Sequence, residues 1–258
     1  MSETPNDNSR MSLIEHLEEL RKRIIISAAA LTVTTSACYA FKGYLLTFLV
    51  TPLGDRELLT LGPTESFMTV FRVAFYAGLI IASPVIIYQI WAFVAPGLRK
   101  QEKRAFLYAT FFTTVLFLGG VAFAWFLVLP RGLDFLLNYE SDTFNQQVQA
   151  ARYFSFVSMF LLGFGIVFDL PAMVLSLARL GIVSPRMLRK HRKYVYLGGA
   201  IISAVLTPGQ DVFSMIAMVV PFMLLFEMSV VLSRYVYRAG RREESDAEGP
   251  EGAGEAAG

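Results

Sequence analysis

Four carboxylates in this chain stand where charge is costly or crowded by cations, and they are the side chains best able to do chemistry. Glu19 closes an acidic cluster with Glu15 and Glu18, directly ahead of Arg21, Lys22 and Arg23. Glu102 is the lone acid among Arg99, Lys100, Lys103 and Arg104. Asp169 lies inside the apolar run Phe168-Asp169-Leu170-Pro171, and Glu227 inside a second run ending at Arg234. The first pair suits capture of a cationic group, by charge-assisted hydrogen bonds that a guanidinium makes in bidentate fashion. An acid within a hydrocarbon layer costs on the order of 2.5–3.5 kcal/mol and so faces a bundle interior or a wet cavity. Asp169 is open to three roles: proton relay, docking point for a polar partner group, or protonated acid that only packs. Glu227 has an easier escape, snorkelling toward Arg234.

Other chemistries are excluded. The single cysteine, Cys38, allows no intrachain disulfide, and the two histidines, His16 and His191, lie outside the apolar runs, so no metal centre and no cofactor is expected. No G-x-x-x-x-G-K-[ST] loop is present to hold a nucleotide.

Two segments would carry the paired acids. Ser12 followed by Glu15 has the form of a capping box, and Leu13, Leu17 and Leu20 recur at helical spacing. This predicts an amphipathic interfacial helix running into the first span, either as a solvated anchor or as a presenter of Glu15, Glu18 or Glu19 to a ligand. In the second, Trp91 and Phe93 suit an interfacial aromatic belt. Pro96-Gly97 ends that helix ahead of the basic loop, where Glu102 either neutralises its neighbours or receives a ligand.

The elements that must position these groups follow from hydropathy. Of 258 residues 55% are apolar and 17% charged, with a mean hydropathy of +0.51. That is more apolar and less charged than soluble domains, and the excess is gathered into runs of bilayer length. The fold class is an all-α membrane protein with six transmembrane helices, expected over residues 24–41, 67–94, 106–129, 154–180, 194–206 and 212–232. Pro84 is a candidate kink in the second. Helices five and six are short or interrupted: 194–206 rises about 20 Å, Thr207-Pro208-Gly209-Gln210 turns the chain, and Pro221 breaks into the sixth run. A re-entrant fifth segment is the alternative.

Charge decides between them. Arginine and lysine gather in the N-terminal arm (Arg10, Arg21, Lys22, Arg23), in 99–104, in 186–193 and in the tail (Arg234, Arg238, Arg241, Arg242), whereas the intervening loops are poor in both. Six spans with both termini cytoplasmic satisfy the positive-inside rule, and a re-entrant fifth segment does not. The domain plan is an extension over 1–10, a six-span unit over 11–238 and a disordered cytoplasmic tail over 239–258, which is Gly-, Ala- and Glu-rich after Arg242. Residues 42–66 and 130–153 are long enough to cap the opposite face. No cleavable signal peptide is evident in the polar, acidic first twenty residues, and no inverted repeat is visible.

HLEELRKR at 16–23, WAFVAPGLRKQEKR at 91–104, FGIVFDLP at 164–171, LTPGQDVFS at 206–214 and LFEMSVVLSR at 225–234 occur in order across Met11–Arg238. Together they resemble the TatC family of twin-arginine translocase subunits. The resemblance implies an inner-membrane receptor and assembly platform, not an enzyme. Such a protein would bind twin-arginine signal peptides of folded cargo at its cytoplasmic face. It would recruit single-span TatA/TatB-type subunits, self-associate in a larger complex within the lipid bilayer and use the proton-motive force. No nucleic acid is expected as a partner.

By the same resemblance Glu19 and Glu102 are the signal-binding acids, and Arg21, Phe93, Pro96, Leu98 and Arg104 support or shape that site, Arg104 orienting Glu102 until cargo arrives. Asp169 stands where the family usually has glutamate, one methylene longer. With Glu227 and Thr207 it is expected to meet partner helices within the bilayer, while Pro52 and Asp211 belong to the outer face. The rival readings are a proton-coupled solute transporter using Asp169, weakened by the absence of a second deep acid or a repeat, and an intramembrane hydrolase. The latter rests on Glu18-Glu19 and Arg23 alone and lacks in-membrane ligands.

Overall fold

The computed structural model describes residues 13–54, 56–94, 103–138, 147–179, 183–206 and 212–247; side chains are described within 15–93, 107–179, 183–206 and 212–234. All six expected spans are helical. With no water inside a bilayer to satisfy peptide groups, each crossing segment closes its own hydrogen bonds. α1 (Leu13–Ala40) merges the amphipathic arm and the first span into one 28-residue helix, with no joint at the membrane surface. After α2 (Lys42–Val50), the second span is α3 (Pro63–Val94), which continues through Pro84. The third is α4 (Lys103–Phe123), a π-helical turn over Ala124–Val128, and α5 (Leu129–Asn138).

The fourth span is broken. α6 (Ala150–Phe168) stops at Asp169, and α7 (Leu170–Arg179) starts at the next residue. Sequence reading treats this as one run with Asp169 near its middle. The cause is Pro171, which has no N–H to give and whose ring crowds the carbonyl one turn back. Asp169 N–H accordingly makes a tight bond to Ile166 O at 3.2 Å, and helical bonding resumes from Met173 N–H to Asp169 O at 3.0 Å. Asp169 thus sits on a joint.

α8 (Pro185–Lys190) is a short turn capped by Ser184, whose hydroxyl accepts from Met187 N–H at 3.2 Å. α9 (Arg192–Leu206) has 15 residues, a rise of about 22 Å, and is the short fifth span. α10 (Val212–Ala247) passes through Pro221 and continues into the segment expected to be a disordered tail. Arg, Glu and Ala there extend a helix already nucleated.

Packing radiates from α6. In the most apolar stretch of the fourth span, α6 with α7, 56% of residues are buried, against 6% for the first span. Val157, Phe160, Leu161, Phe164 and Val167 form the buried ridge of α6. α3, α4, α9 and α10 pack on α6, α10 also on α7, and α1 packs along α3. Close approach comes from small residues. A Cβ on Gly120 would lie 2.6 Å from Phe164 O, and one on Gly78 would lie 2.7 Å from Thr35 N and 2.8 Å from Thr35 Cα. Thr34 Oγ1 also donates to Gly78 O at 2.8 Å across the same crossing.

The end of the bundle opposite the N terminus is closed by a cap. α2 leads into a 3-10 turn, Thr51–Leu53, which holds half-buried Pro52 and ends at Gly54 with φ +70°. Only glycine takes that turn without strain. β1 (Leu58–Leu59) pairs in parallel with β2 (Val148–Gln149), Leu58 opposite Val148. Tyr153 Oη donates to Leu49 O at 2.8 Å, and Phe48 stacks on Trp125 at 4.1 Å. Arg56 donates to Leu137 O at 3.0 Å and to Asn138 Oδ1 at 2.7 Å. Glu65 is the tie between α3 and α6: it accepts from Leu61 N–H at 2.7 Å, from Gln149 Nε2 at 3.0 Å and from Ala151 N–H at 3.3 Å.

Two outcomes test this packing. Gly78→Ala places a methyl against the α1 backbone and is expected to cost about 1–3 kcal/mol, as overpacking does; thermal unfolding of the purified protein measures it, beside Gly119→Ala, where a Cβ meets nothing within 4 Å. Glu65→Ala leaves three donors of the cap without their acceptor and lowers the thermal midpoint, while Glu65→Gln, which keeps one acceptor oxygen, recovers part of the loss.

Candidate functional site

At the end of the bundle that carries the N terminus, the helical period places His16, Glu19, Leu20 and Arg23 along one side of α1. α3 ends beside them with Gln89 and Phe93 one turn apart. Glu19 and Arg23 form an i,i+4 ion pair, Nη2 to Oε1 at 3.0 Å, with 18% and 27% of the side chains exposed. This order, acid first, is the favourable one on a helix. The guanidinium reaches further: Nη1 donates to Gln89 Oε1 at 3.0 Å, across 66 residues. Gln89 is buried in α3. Glu19 Oε2 is buried and has no hydrogen-bond partner among the described residues. One carboxylate oxygen is therefore occupied, and the other is a buried acceptor left unsatisfied among the described residues.

Phe93 stacks on His16 with centroids 4.4 Å apart, which fixes the end of α3 against α1. Trp91 donates its indole N–H to Thr113 Oγ1 at 3.2 Å, joining α3 to α4. Both rings are half-buried and each joins two helices, the indole N–H finding an acceptor on the neighbouring one.

A groove of about 310 Å³ runs from this cluster along the seam of α1 and α3. Arg23, Gln89 and Phe93 line it together with Ile24, Ser27, Ala28 and Leu31 of α1 and Ile86 and Ile90 of α3. Its wall beyond the charged cluster is almost wholly apolar. Such a shape suits a ligand with a cationic head and an apolar continuation.

The sequence-derived site is thus assembled in part. Glu19 and Phe93 come together through α1 and α3. Arg21 is exposed and, two residues on from Glu19, projects from a different side of α1. Pro96, Leu98 and Glu102 lie outside the described residues, as does the side chain of Arg104; Thr207 and Asp211 also lie outside them. Arg23 and Gln89 belong to the cluster but were missed by sequence reasoning. Arg23 reads as one cation of a basic run. Gln89 is neutral, and its only signal is a lone amide inside the apolar run Leu79–Ile90.

The intramembrane acids behave differently from each other. Asp169 Oδ1 is buried with no hydrogen-bond partner among the described residues, at the joint of α6 and α7. Glu227 does not turn to Arg234. It pairs with Arg192 Nη2 at 2.7 Å and accepts a short hydrogen bond from Tyr196 Oη. Both partners lie on the first turns of α9, so Glu227 pins the foot of α9 to α10, where the nearer cation and the phenol leave no reason to extend toward Arg234.

Comparison with known proteins converges on one family. The family model for Sec-independent protein translocase protein (TatC) matches residues 15–221. The chain is 39% identical over 232 residues to the Sec-independent protein translocase protein TatC of Carboxydothermus hydrogenoformans, covering 89% of this chain and 96% of that one. The TatC of Koribacter versatilis is 37% identical, with 92% and 90% covered. A crystal structure of the twin-arginine translocase receptor TatC superposes with a TM-score of 0.78 at 36% identity, covering 86% of this chain and 99% of that one. A second, of the same receptor in DDM, gives 0.79.

Proposed function

The chain belongs to the TatC family of Sec-independent protein translocase proteins, and on that premise we propose that it is the signal-reading receptor of a twin-arginine translocase. The observation that supports this reading most directly is the Glu19 carboxylate, with one oxygen held by Arg23 and the other buried without a partner among the described residues, while Arg23 and Gln89 of the same cluster line an apolar groove. A consecutive arginine pair followed by an apolar stretch matches that arrangement in charge, donor geometry and hydropathy. Glu102 supplies the second carboxylate, with Arg104 orienting it, and Pro96 and Leu98 shape the loop that carries it. Arg21 adds to the basic face without touching Glu19.

The alternation of basic loops supports a cytoplasmic position for this face, in a multi-pass inner-membrane protein with both termini on the same side. Cargo arrives folded, its arginine pair docks at Glu19 and Glu102, and its apolar segment enters along the bundle. Single-span TatA/TatB-type subunits then assemble on the chain, with Asp169 and Thr207 offering polar contacts within the bilayer. Asp169 supports that role because an open acid oxygen at a helix joint gains from a partner's donor. Pro52 and Asp211 belong to the opposite face, and transport draws on the proton-motive force.

Binding of a twin-arginine signal peptide, beside the same peptide with paired lysines, tests this reading in wild type, Glu19→Ala and Glu102→Ala. Tighter binding of the arginine peptide by wild type is expected, and a loss of roughly 10- to 100-fold on removing either acid, the worth of hydrogen bonds to a charged group. Equal binding of both peptides, or arginine binding that survives both substitutions, overturns it and leaves solute transport through Asp169 as the reading to test.

A further inference from the structure

An acid that must read arginine already holds one. Arg23 gives Nη2 to Glu19 Oε1 and Nη1 to Gln89 Oε1, both at 3.0 Å, so its fork has one prong on each helix. An i,i+4 pair on a single helix needs no third group. The buried amide of Gln89, brought in from α3, is the unexplained part of the arrangement.

We propose that Arg23 is a built-in competitor for Glu19, that Gln89 is the acceptor on which it is held when displaced, and that this competition sets the preference for arginine over lysine. The inference rests on the receptor reading above and extends it. A ligand guanidinium brings two parallel N–H donors, which fit Oε1 and the unsatisfied Oε2 together once Arg23 swings off Glu19 and uncovers the carboxylate. It therefore gains two charge-assisted bonds for the one that Arg23 gives up. A ligand ammonium is a point charge with no fork and gains little beyond what Arg23 already supplies. Throughout the exchange Arg23 keeps its bond to Gln89, so no guanidinium is left without an acceptor at the protein–lipid boundary. The preference thus arises from the cost of displacing the resident arginine as well as from the fit of the incoming one.

The test measures the ratio of affinities for the paired-arginine and paired-lysine peptides in full-length wild type, Arg23→Lys, Arg23→Gln and Gln89→Leu, each checked for intact helical content. Arg23→Lys keeps the charge but loses the fork. It is expected to tighten lysine-peptide binding and to lower the ratio by roughly 10-fold, the worth of one charge-assisted hydrogen bond. Arg23→Gln lowers the ratio at least as far. Gln89→Leu, by removing the holding acceptor, weakens arginine-peptide binding in wild type and has no such effect in the Arg23→Gln background. If Arg23→Lys behaves as wild type, the residue acts by charge alone and the proposal falls. It falls equally if the Arg23 variants weaken both peptides alike with the ratio unmoved, since Arg23 then only props Glu19. Should Arg23→Gln not fold, Arg23→Lys and Gln89→Leu decide the matter. A wild type that does not discriminate, or does so without Glu19, refutes the receptor reading instead.

Discussion

Helices in a bilayer gain nothing by hiding leucine from lipid, because the lipid is as apolar as the leucine, so association depends on close packing and on shared polar contacts. That constraint governs this molecule. Gly78 lets α1 and α3 cross with backbone near backbone, and Thr34 adds a hydrogen bond to the Gly78 carbonyl at 2.8 Å. Gly120 does the same for α4 and α6, where a Cβ would meet Phe164 O, and Gly165 makes room on α6 for the Phe117 ring of α4. α6 can act as the hub because its glycines and its phenylalanine ridge interlock with several neighbours at once. Among the described residues α1 touches little besides α3, so the geometry of that one seam fixes where Glu19 and Arg23 stand relative to Gln89 and Phe93.

The two ends of the bundle use polar groups differently. At the capped end Glu65, Arg56 and Tyr153 are spent on backbone groups and on the amides of Gln149 and Asn138, and the result is a closed lid of short elements. Glu227 is also fully engaged, by Arg192 and Tyr196, and holds a hairpin together. Glu19 and Asp169 differ, each keeping a buried oxygen without a partner among the described residues. A buried polar atom left open costs about 1–3 kcal/mol, a cost that structural acids avoid and that binding sites recover when a ligand arrives. Within the described residues, unspent hydrogen-bonding capacity separates the acids that brace the fold from those suited to meeting something else.

Much of this was legible in the chain. Hydropathy and the alternation of basic loops marked the spans because the bilayer imposes a fixed thickness and a charge bias, and both write directly into sequence. Glu19 and Phe93 could be named from motif resemblance. The break at Asp169 was not seen, though its cause, Pro171, was in view, because an apolar run reads as continuous by hydropathy alone. The partner of Glu227 was misjudged because distance along the helix favoured Arg234, while the packing of α10 against α9 brings Arg192 and Tyr196 closer in space.

The sequence by itself determined the class of the protein, its number of crossings and the family it belongs to, since each of these is a property of one segment or of segments in order. Only the tertiary structure decided that Arg23 leans on Gln89, that Phe93 rests on His16, that Trp91 reaches Thr113 and that Asp169 sits at a joint with an oxygen to spare. Those pairings depend on the crossing of helices far apart in the chain, set by glycine contacts and ridge packing whose angles no local pattern encodes. A buried glutamine 66 residues from its arginine carries no mark in the sequence until α1 and α3 are laid side by side.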